Sequence, residues 1–309
     1  MEPDFENLNK DLEPAIQQLE TYRIALKQKG TKNGLFTAGI LFTVGCLFSL
    51  YAQAGPIGIV LSLLLAIGTL IYCIDVKSRE LSLYYKNNII SAIVRQLCEE
   101  ASFTPDQGIP ESTFMASGLF STSPDRYHSE DLITGKIGKT LFSCSEIVAE
   151  ERKVTTDNKG HRHEHWVTIF KGFFFIADFQ KDFAGRTLIY RNSWFKLRAG
   201  LQRVKLENPA FEKNFDTYST DQVEARYILS PGLMEKILEL DRKFPGKIIL
   251  SFYKSQVIIA IPESANHFDA CIWKSQLHQN HIQQEFTTLC KLTGIIKDLY
   301  LNLRIWSKA

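Results

Sequence analysis

Two long apolar runs near the amino terminus dominate the pattern of hydrophobic and polar positions along the chain. No charged residue occurs from Asn33 to Ile74. Within that stretch, residues 34–52 and 57–74 are almost wholly apolar, and residues 53–56 read Gln-Ala-Gly-Pro. Each run, as a helix, is close to the ~30 Å hydrocarbon core of a bilayer, whereas one continuous helix would be far too long. The pattern predicts a transmembrane hairpin over residues 34–74, with a tight turn in its middle.

The alternative interpretation, a buried hairpin in a soluble core, is disfavoured because soluble helices usually keep a polar face and these runs have none. Small residues recur within the runs, and the two helices are expected to approach each other at such positions. These positions are Gly34, Gly39, Gly45, Gly55 and Gly58.

Basic residues flank the hairpin on both sides and are absent from its turn. They are Arg23, Lys27, Lys29 and Lys32 before it, and Lys77, Arg79, Lys86 and Arg95 after it. Positively charged flanks stay in the cytoplasm. The sequence therefore predicts a protein of the inner (plasma) membrane of a bacterium, with both termini cytoplasmic.

Amphipathic helical stripes lie on either side of the hairpin. Residues 1–33 are expected to form a cytosolic helix with a stripe that includes Leu12, Leu19 and Leu26, interrupted at residues 28–34. Residues 75–103 are expected to form a post-membrane helix with a second stripe. The two helices would pair as an antiparallel stalk or pack against the soluble domain. Ordinary core packing is favoured over self-association into a homo-oligomer.

Residues 104–309 contain short β-favouring runs with few helical segments between them. This pattern predicts a cytosolic α+β domain with a mainly antiparallel sheet. The expected strands are residues 132–136, 140–149, 165–179, 187–190, 202–206, 222–229, 247–252 and 256–261. Helices are expected at residues 231–244 and 275–304. The last helix should bury a stripe formed by Ile282, Phe286, Leu289, Ile296, Leu299 and Leu303.

Composition narrows the function classes. The chain has 36 Lys and Arg against 34 Asp and Glu, a net charge of +2, which argues against a nucleic-acid partner. The six cysteines form no regular framework and are interpreted as reduced. No nucleophile elbow, P-loop or dinucleotide fingerprint occurs in the sequence, so no catalytic residue and no cofactor are predicted.

Three histidines occupy every second position of residues 161–165. His161, His163 and His165 would share one face of a strand, with Glu164 on the other face. A zinc site is the alternative interpretation, but it needs four converging ligands. Because residues 157–160 look like a solvated turn, we predict that the histidines form an exposed hairpin tip and not a metal site.

A basic group near Trp194 is the second candidate surface. It consists of Lys196, Arg198, Arg203 and Lys205. In a domain tethered to a membrane, such residues can contact anionic lipid headgroups. A simply solvated basic face is the alternative interpretation.

Three stretches resemble a known family: residues 118–150, 168–189 and 211–231. They are similar to the bacterial family "domain of unknown function 3137" (DUF3137), and the resemblance extends over residues 110–262. An amino-terminal hairpin is typical of such proteins. The resemblance implies no activity and no catalytic residues, and it suggests a LemA-like membrane protein as a partner.

The leading functional hypothesis is a non-enzymatic, membrane-anchored protein whose cytosolic domain binds a protein or peptide partner at the membrane surface. The alternatives are a membrane-tethered enzyme of unknown type and a domain that senses anionic lipid.

Overall fold

The chain divides into a helical unit and a sheet unit in the computed structural model, which describes residues 5–53, 55–156, 161–179, 181–191, 200–244, 248–275, 277, 279–299 and 301. The helical unit comprises Met1–Ile93 and His267–Phe286, and the sheet unit comprises Val94–Asn266 and Thr287–Ala309. The predicted α+β class is confirmed. The division differs from the predicted 104–309 domain, because residues 267–286 group with the amino-terminal helices.

Two long helices form the predicted hairpin. Helix α1 spans Phe5–Tyr51 and helix α2 spans Gly55–Tyr85. Both are long and apolar enough to cross a membrane. Large apolar side chains point outward along the predicted spans, and Phe36, Leu50 and Ile57 are 70%, 73% and 79% exposed. A continuous apolar surface of this kind fits a lipid environment rather than water.

Small residues line the contact between the two helices. A Cβ atom added at Gly45 would lie 2.4 Å from the Cβ of Ser62, and one at Gly34 would lie 2.7 Å from the Cδ1 of Leu70. Ala66 is buried on the same face. The predicted close approach is therefore confirmed at Gly34 and Gly45, whereas Gly39 and Gly55 would meet no atom within 4 Å, so the prediction is wrong for these two.

Replacing Gly45 by leucine should force the two helices apart, because the new side chain would collide with Ser62. Close helix packing is a main source of association in lipid. We expect the Gly45→Leu protein to lose thermal stability in detergent, measured by the temperature at which it aggregates. Gly39→Leu is the matched control and should behave as the unmodified chain; equal losses in both variants would contradict this packing.

Helix α1 runs without a break through residues 28–34, so the predicted interruption is wrong. Glycine alone does not end a helix, and Gly30 instead lets α2 come close, since its added Cβ would lie 3.3 Å from the Cγ of Lys77. Further from the spans, the rings of Tyr22 and Tyr84 lie 4.7 Å apart. The two helices therefore continue as an antiparallel pair beyond the predicted spans, and the stripe that contains Leu19 is buried.

A short π-helical turn, Lys86–Ile90, follows α2 directly and leads into α3, Ser91–Leu97. The predicted second stripe consists of Tyr85, Ile89, Ile93 and Leu97, and its first three residues are fully buried. Wide turns of this kind are rare and often lie at functional positions.

The described part of the sheet unit contains one nine-stranded sheet in which every pairing is antiparallel. The strands are β1 (Glu99–Thr104), β2 (Arg126–Ile137), β3 (Thr140–Thr156), β4 (Arg162–Asp178), β5 (Arg186–Arg191), β6 (Gln202–Val204), β7 (Phe215–Ser219), β8 (Ile249–Tyr253) and β9 (Gln256–Pro262). Their order across the sheet is β1-β2-β3-β4-β9-β8-β5-β7-β6.

The described residues contain five further helices: α4 (Glu111–Ala116), α5 (Pro209–Asn214), α6 (Gln222–Ile228), α7 (Pro231–Lys243) and α8 (Gln279–Asp298). Helix α6 replaces the strand predicted at residues 222–229. The Asp221 side chain accepts hydrogen bonds from the backbone N–H groups of Val223 and Glu224, and this N-cap favours a helix over a strand. Helix α7 begins at Pro231, directly after its N-cap Ser230, whose side chain accepts a hydrogen bond from the Leu233 N–H.

Aromatic side chains form much of the core on one face of the sheet. Phe114 of α4, Phe170 and Phe174 are each at most 4% exposed and belong to one buried cluster. On α8 the predicted stripe is buried at every described position, and Leu303 lies outside the described residues. The rings of Phe286 and Phe5 lie 5.4 Å apart, so this end of the helix packs within the helical unit.

Candidate functional site: an exposed β-ribbon

Strands β3 and β4 extend beyond the rest of the sheet as a two-stranded ribbon. Strand β2 pairs with β3 only as far as Glu150, and β9 pairs with β4 only from Gly172 onward. Between those limits β3 and β4 pair with each other, from Glu151 opposite Val167 to Thr156 opposite Arg162. We call residues 151–156 and 161–167 the ribbon. Its side chains are mostly exposed, so it adds little to the core.

The register sorts the side chains of the ribbon onto two faces. Directly opposite residues of an antiparallel pair share a face, and successive residues alternate. Lys153 lies opposite His165 and Thr155 lies opposite His163, so these side chains share one face. Glu164 lies opposite Val154 on the other face, as the sequence predicted.

The face with Glu164 carries apolar and charged groups side by side. Trp166 is 39% exposed and Val154 is 49% exposed. The Arg126 guanidinium lies 3.6 Å from the centre of the Trp166 ring, and Arg152 lies 3.6 Å from Glu164. Tryptophan and arginine are the residues that most often anchor protein interfaces. This face therefore has the chemistry of a protein contact surface.

The other face carries the histidines. His161, His163 and His165 are exposed, and residues 157–160, the predicted tip, lie outside the described residues. Within the described ranges, no group of three or more His, Cys, Asp or Glu side chains is placed to hold a metal ion. That these histidines are not a metal site stays a prediction.

The predicted lipid-facing basic group is only partly within the described residues. Lys196 and Arg198 lie outside them, and Lys205 is exposed. Arg203 forms an ion pair with Glu212, with an N–O distance of 2.9 Å, and a second one with Asp216. Its guanidinium is thus engaged within the sheet unit, and the lipid-facing role of the group stays a prediction.

A neighbouring pair also joins an arginine to a buried carboxylate. Arg191, at the end of β5, pairs with Asp241 of α7 and donates a hydrogen bond to Asn214 over 3.1 Å. Burial raises the pKa of Asp241, although Arg191 acts in the opposite direction. Buried ion pairs of this kind often fix the arrangement of elements rather than bind a ligand, because their charges already satisfy each other.

The sequence analysis did not identify a polar network on the helical unit. The Tyr22 hydroxyl donates to Glu80 over 2.6 Å, and Lys77 donates to the same carboxylate over 2.6 Å. The hydrogen bond from Lys77 lowers the pKa of Glu80, and the contact with Glu80 raises the pKa of Tyr22. The i,i+3 spacing of Lys77 and Glu80 on α2 could have indicated their ion pair from the sequence alone. Nothing in the sequence indicated that Tyr22 of α1 would join them.

The ribbon residues were also not singled out as contact residues. One predicted strand ends at residue 149 and the next begins at residue 165, so the sequence analysis places Val154 in a loop between them. The β-branched residues Val154, Thr155 and Thr156 were the available signal.

Comparison with known proteins gives a family and a distant structural likeness. Residues 168–301 match the family model described as "Protein of unknown function (DUF3137)", which confirms the resemblance seen in the sequence. None of the curated proteins matches the chain. The crystal structure of the mycobacterial trehalose monomycolate transport factor A, TtfA, aligns with a TM-score of 0.35 at 6% identity, covering 68% of this chain and 93% of that chain. This likeness is too low to support an inference about function.

Proposed function

We propose that the chain, whose residues 168–301 match the DUF3137 family model, is a non-enzymatic protein anchored in the inner membrane of a bacterium. Its cytosolic sheet unit would bind a protein partner through the ribbon. The single observation that carries the proposal is the ribbon itself. Its two strands pair only with each other and present Trp166 and Val154 to solvent.

A partner offers a physical reason for the ribbon. A two-stranded hairpin by itself is marginally stable in water, because it buries little apolar surface. The Arg152 N–H donates to Asp125 over 2.7 Å, but no strand is paired with the outer edges of the ribbon beyond Glu150 and before Gly172 in the described residues. Such edges can accept a further strand. Contact with a partner would cover both the edges and the exposed indole.

Orientation is supported by the charges that flank the hairpin. Lys29 and Lys32 precede the first predicted span and are exposed on α1, and Arg79 follows the second and is exposed on α2. The excess of such residues at both ends favours the cytoplasmic side for both termini. The partner would then lie in the cytoplasm or at the inner surface of the membrane, and a LemA-like membrane protein remains the one that the resemblance suggests.

A photo-crosslinking amino acid placed at His163 tests the proposal in native membranes. We expect it to capture one discrete protein, identified by mass spectrometry, because position 163 is exposed on the ribbon. The matched control is the same amino acid at Val223 of α6, which is 77% exposed on the sheet unit and lies outside the ribbon.

A substitution in the ribbon makes the result specific. Trp166→Ser in the His163-labelled chain should reduce the crosslink at least severalfold, because a central tryptophan in an interface commonly contributes about 2 kcal/mol or more. Tyr227→Ser on α6 should leave the yield unchanged. The absence of a discrete crosslink at position 163, or equal capture at position 223, would contradict ribbon-mediated binding.

A further inference from the structure

The outer edge of β4 in the ribbon carries backbone groups that point away from β3. The carbonyl oxygen of Glu150 accepts a hydrogen bond from the Asp125 N–H over 2.9 Å, and the Arg152 N–H donates to the Asp125 carboxylate over 2.7 Å. The backbone groups of Glu150 and Arg152 therefore point away from β4. Opposite residues of an antiparallel pair are either hydrogen-bonded to each other or both turned outward. Thr168 and Trp166, which lie opposite these two residues, thus turn their N–H and C=O groups toward the outer side of β4.

The same alternation continues toward the end of the ribbon. The register of β3 and β4 has no further shift between Glu150 and Thr156, which lies opposite Arg162. Every second residue of this part of β4 is therefore turned outward, and we call these four exposed residues the edge row: Arg162, Glu164, Trp166 and Thr168. In the described part of the chain, no strand pairs with their outer side, because β9 joins β4 only from Gly172 onward. Open backbone groups at such an edge can pair with a further strand.

The β3 edge of the ribbon is shorter. Asp125 already hydrogen-bonds to an outward group of Glu150 and of Arg152. Among the described residues of β3, Val154 and Thr156 are the outward positions beyond Asp125. The β4 edge is therefore the longer place at which another strand can add.

The edge row carries opposite charges two positions apart. Arg162 is followed by Glu164, and both side chains lie on the face that contains Val154. The Glu164 carboxylate lies 3.6 Å from Arg152 of the same ribbon, but the Glu164 side chain is still 58% exposed. An antiparallel strand with the same order of charges places its glutamate opposite Arg162 and its arginine opposite Glu164. The edge row is thus complementary to a second copy of itself.

We propose that the ribbons of two copies of this chain pair antiparallel along their edge rows, about a two-fold axis at His163. The pairing rests on the function proposed above and gives it a partner, a second copy of the chain. In this register Arg162 lies opposite the partner's Glu164, and Glu164 lies opposite the partner's Arg162. Outward N–H and C=O groups of these residues form hydrogen bonds across the axis. Opposite charges at facing positions stabilise a sheet.

Trp166 gains a contact in the same arrangement. Arg126 lies against its ring, with the guanidinium 3.6 Å from the ring centre, yet Trp166 is still 39% exposed. The partner's Arg162 lies diagonally across from Trp166, which is within reach of a long side chain. An arginine beside an indole ring is favourable, so the pairing uses the exposed part of this tryptophan.

Disulfide formation between single cysteines tests this register in vesicles that contain the full chain. Position 163 lies on the axis, so the Cβ atoms of two His163→Cys chains lie within roughly 4.5–5.5 Å of each other. This separation, with little adjustment, allows a disulfide. We expect mild oxidation to give a covalent dimer in severalfold higher yield than in the unmodified chain, which has its own six cysteines.

His161→Cys is the matched control for the register. Position 161 lies opposite the partner's His165, and about 13 Å along the strand from its own symmetry mate. His161→Cys alone should not dimerise above the yield of the unmodified chain, whereas a mixture of His161→Cys and His165→Cys chains should form a mixed dimer. Equal yields from His161→Cys and His163→Cys alone would indicate random collision and overturn the pairing.

An exchange of charges tests the edge row itself. In the His163→Cys chain, Arg162→Glu should lower the dimer yield severalfold, because like charges then face each other at both pairs. Adding Glu164→Arg to that variant exchanges the two charges and should restore the yield. An unchanged yield in the first variant, or no recovery in the second, would overturn the pairing.

The photo-crosslink at position 163 in native membranes separates this pairing from the proposed function. A product with twice the mass of the chain, containing the chain alone, supports both. Capture of a different protein, with no disulfide dimer from His163→Cys, would overturn the self-pairing and leave the proposed function standing. Capture of nothing, again with no disulfide dimer, would overturn both.

Discussion

Replacing Phe174 by alanine is expected to lower the free energy of unfolding of the sheet unit by about 3–5 kcal/mol. Phe174 is fully buried in the middle of β4, and its ring lies 5.4 Å from that of Phe114 and 6.4 Å from that of Phe170. Removing the ring would leave a cavity among aromatic groups that the flanking strands prevent from closing. Urea unfolding of the detergent-solubilised chain measures the loss.

Tyr227→Ala is the matched control for this loss. Tyr227 is also aromatic, but it is 57% exposed on α6, where Lys181 lies over its ring. Its removal should change the unfolding free energy by no more than about 1 kcal/mol. Similar losses in the two variants would show that the aromatic cluster around Phe114 is not the core of the sheet unit.

Replacing Gly172 by alanine is expected to be similarly damaging, although it adds only one methyl group. The backbone of Gly172 has a φ of 143°, which L-residues rarely adopt. An added Cβ would lie 2.2 Å from the carbonyl oxygen of Ile261 and 2.5 Å from the N of Glu263. Because both contacts are backbone atoms, strain and overpacking together should cost about 2–6 kcal/mol.

The control for this substitution is Gly232→Ala in α7. Its added Cβ would meet no atom within 4 Å, so alanine should be neutral or slightly stabilising, by up to about 1 kcal/mol. The two melting temperatures of the solubilised chains provide the comparison. If Gly172→Ala melted at the temperature of Gly232→Ala, the close passage of β4 and β9 at this point would be incorrect.

The hairpin could be predicted almost completely because the bilayer imposes strong requirements on a sequence. A span needs about 20 apolar residues in succession, and two helices in the described part of the chain meet this requirement. Strands with dense apolar residues, such as β4 and β9, were also predictable. In these segments local composition and the final structure agree.

Other segments depended on contacts that no local pattern shows. Residues 222–229 alternate as a strand would, yet the cap at Asp221 makes them a helix. Strand β7 was not predicted because its five residues contain Asp216, a charged residue that is buried and paired with Arg203. Short strands with a buried charge are recognisable only when the partner is known.

The ribbon and its histidine face were also only partly predictable from the sequence. The shared face of His163 and His165 followed from alternation alone, and the register confirms it. The length of the ribbon did not follow, because it depends on β3 and β4 pairing beyond the edges of β2 and β9. The path of residues 267–275 depends on contacts such as the hydrogen bond from Arg23 to the Ile272 carbonyl oxygen, which joins residues far apart in the chain.

Reporter fusions test most directly the central claim that a two-span hairpin holds the sheet unit on the cytoplasmic side of the membrane. A reporter enzyme that is active only outside the cytoplasm is fused after Ala309 in one chain and inserted after Gln53, in the turn of the hairpin, in another. The account predicts no activity after Ala309 and activity after Gln53. Activity after Ala309 would contradict it.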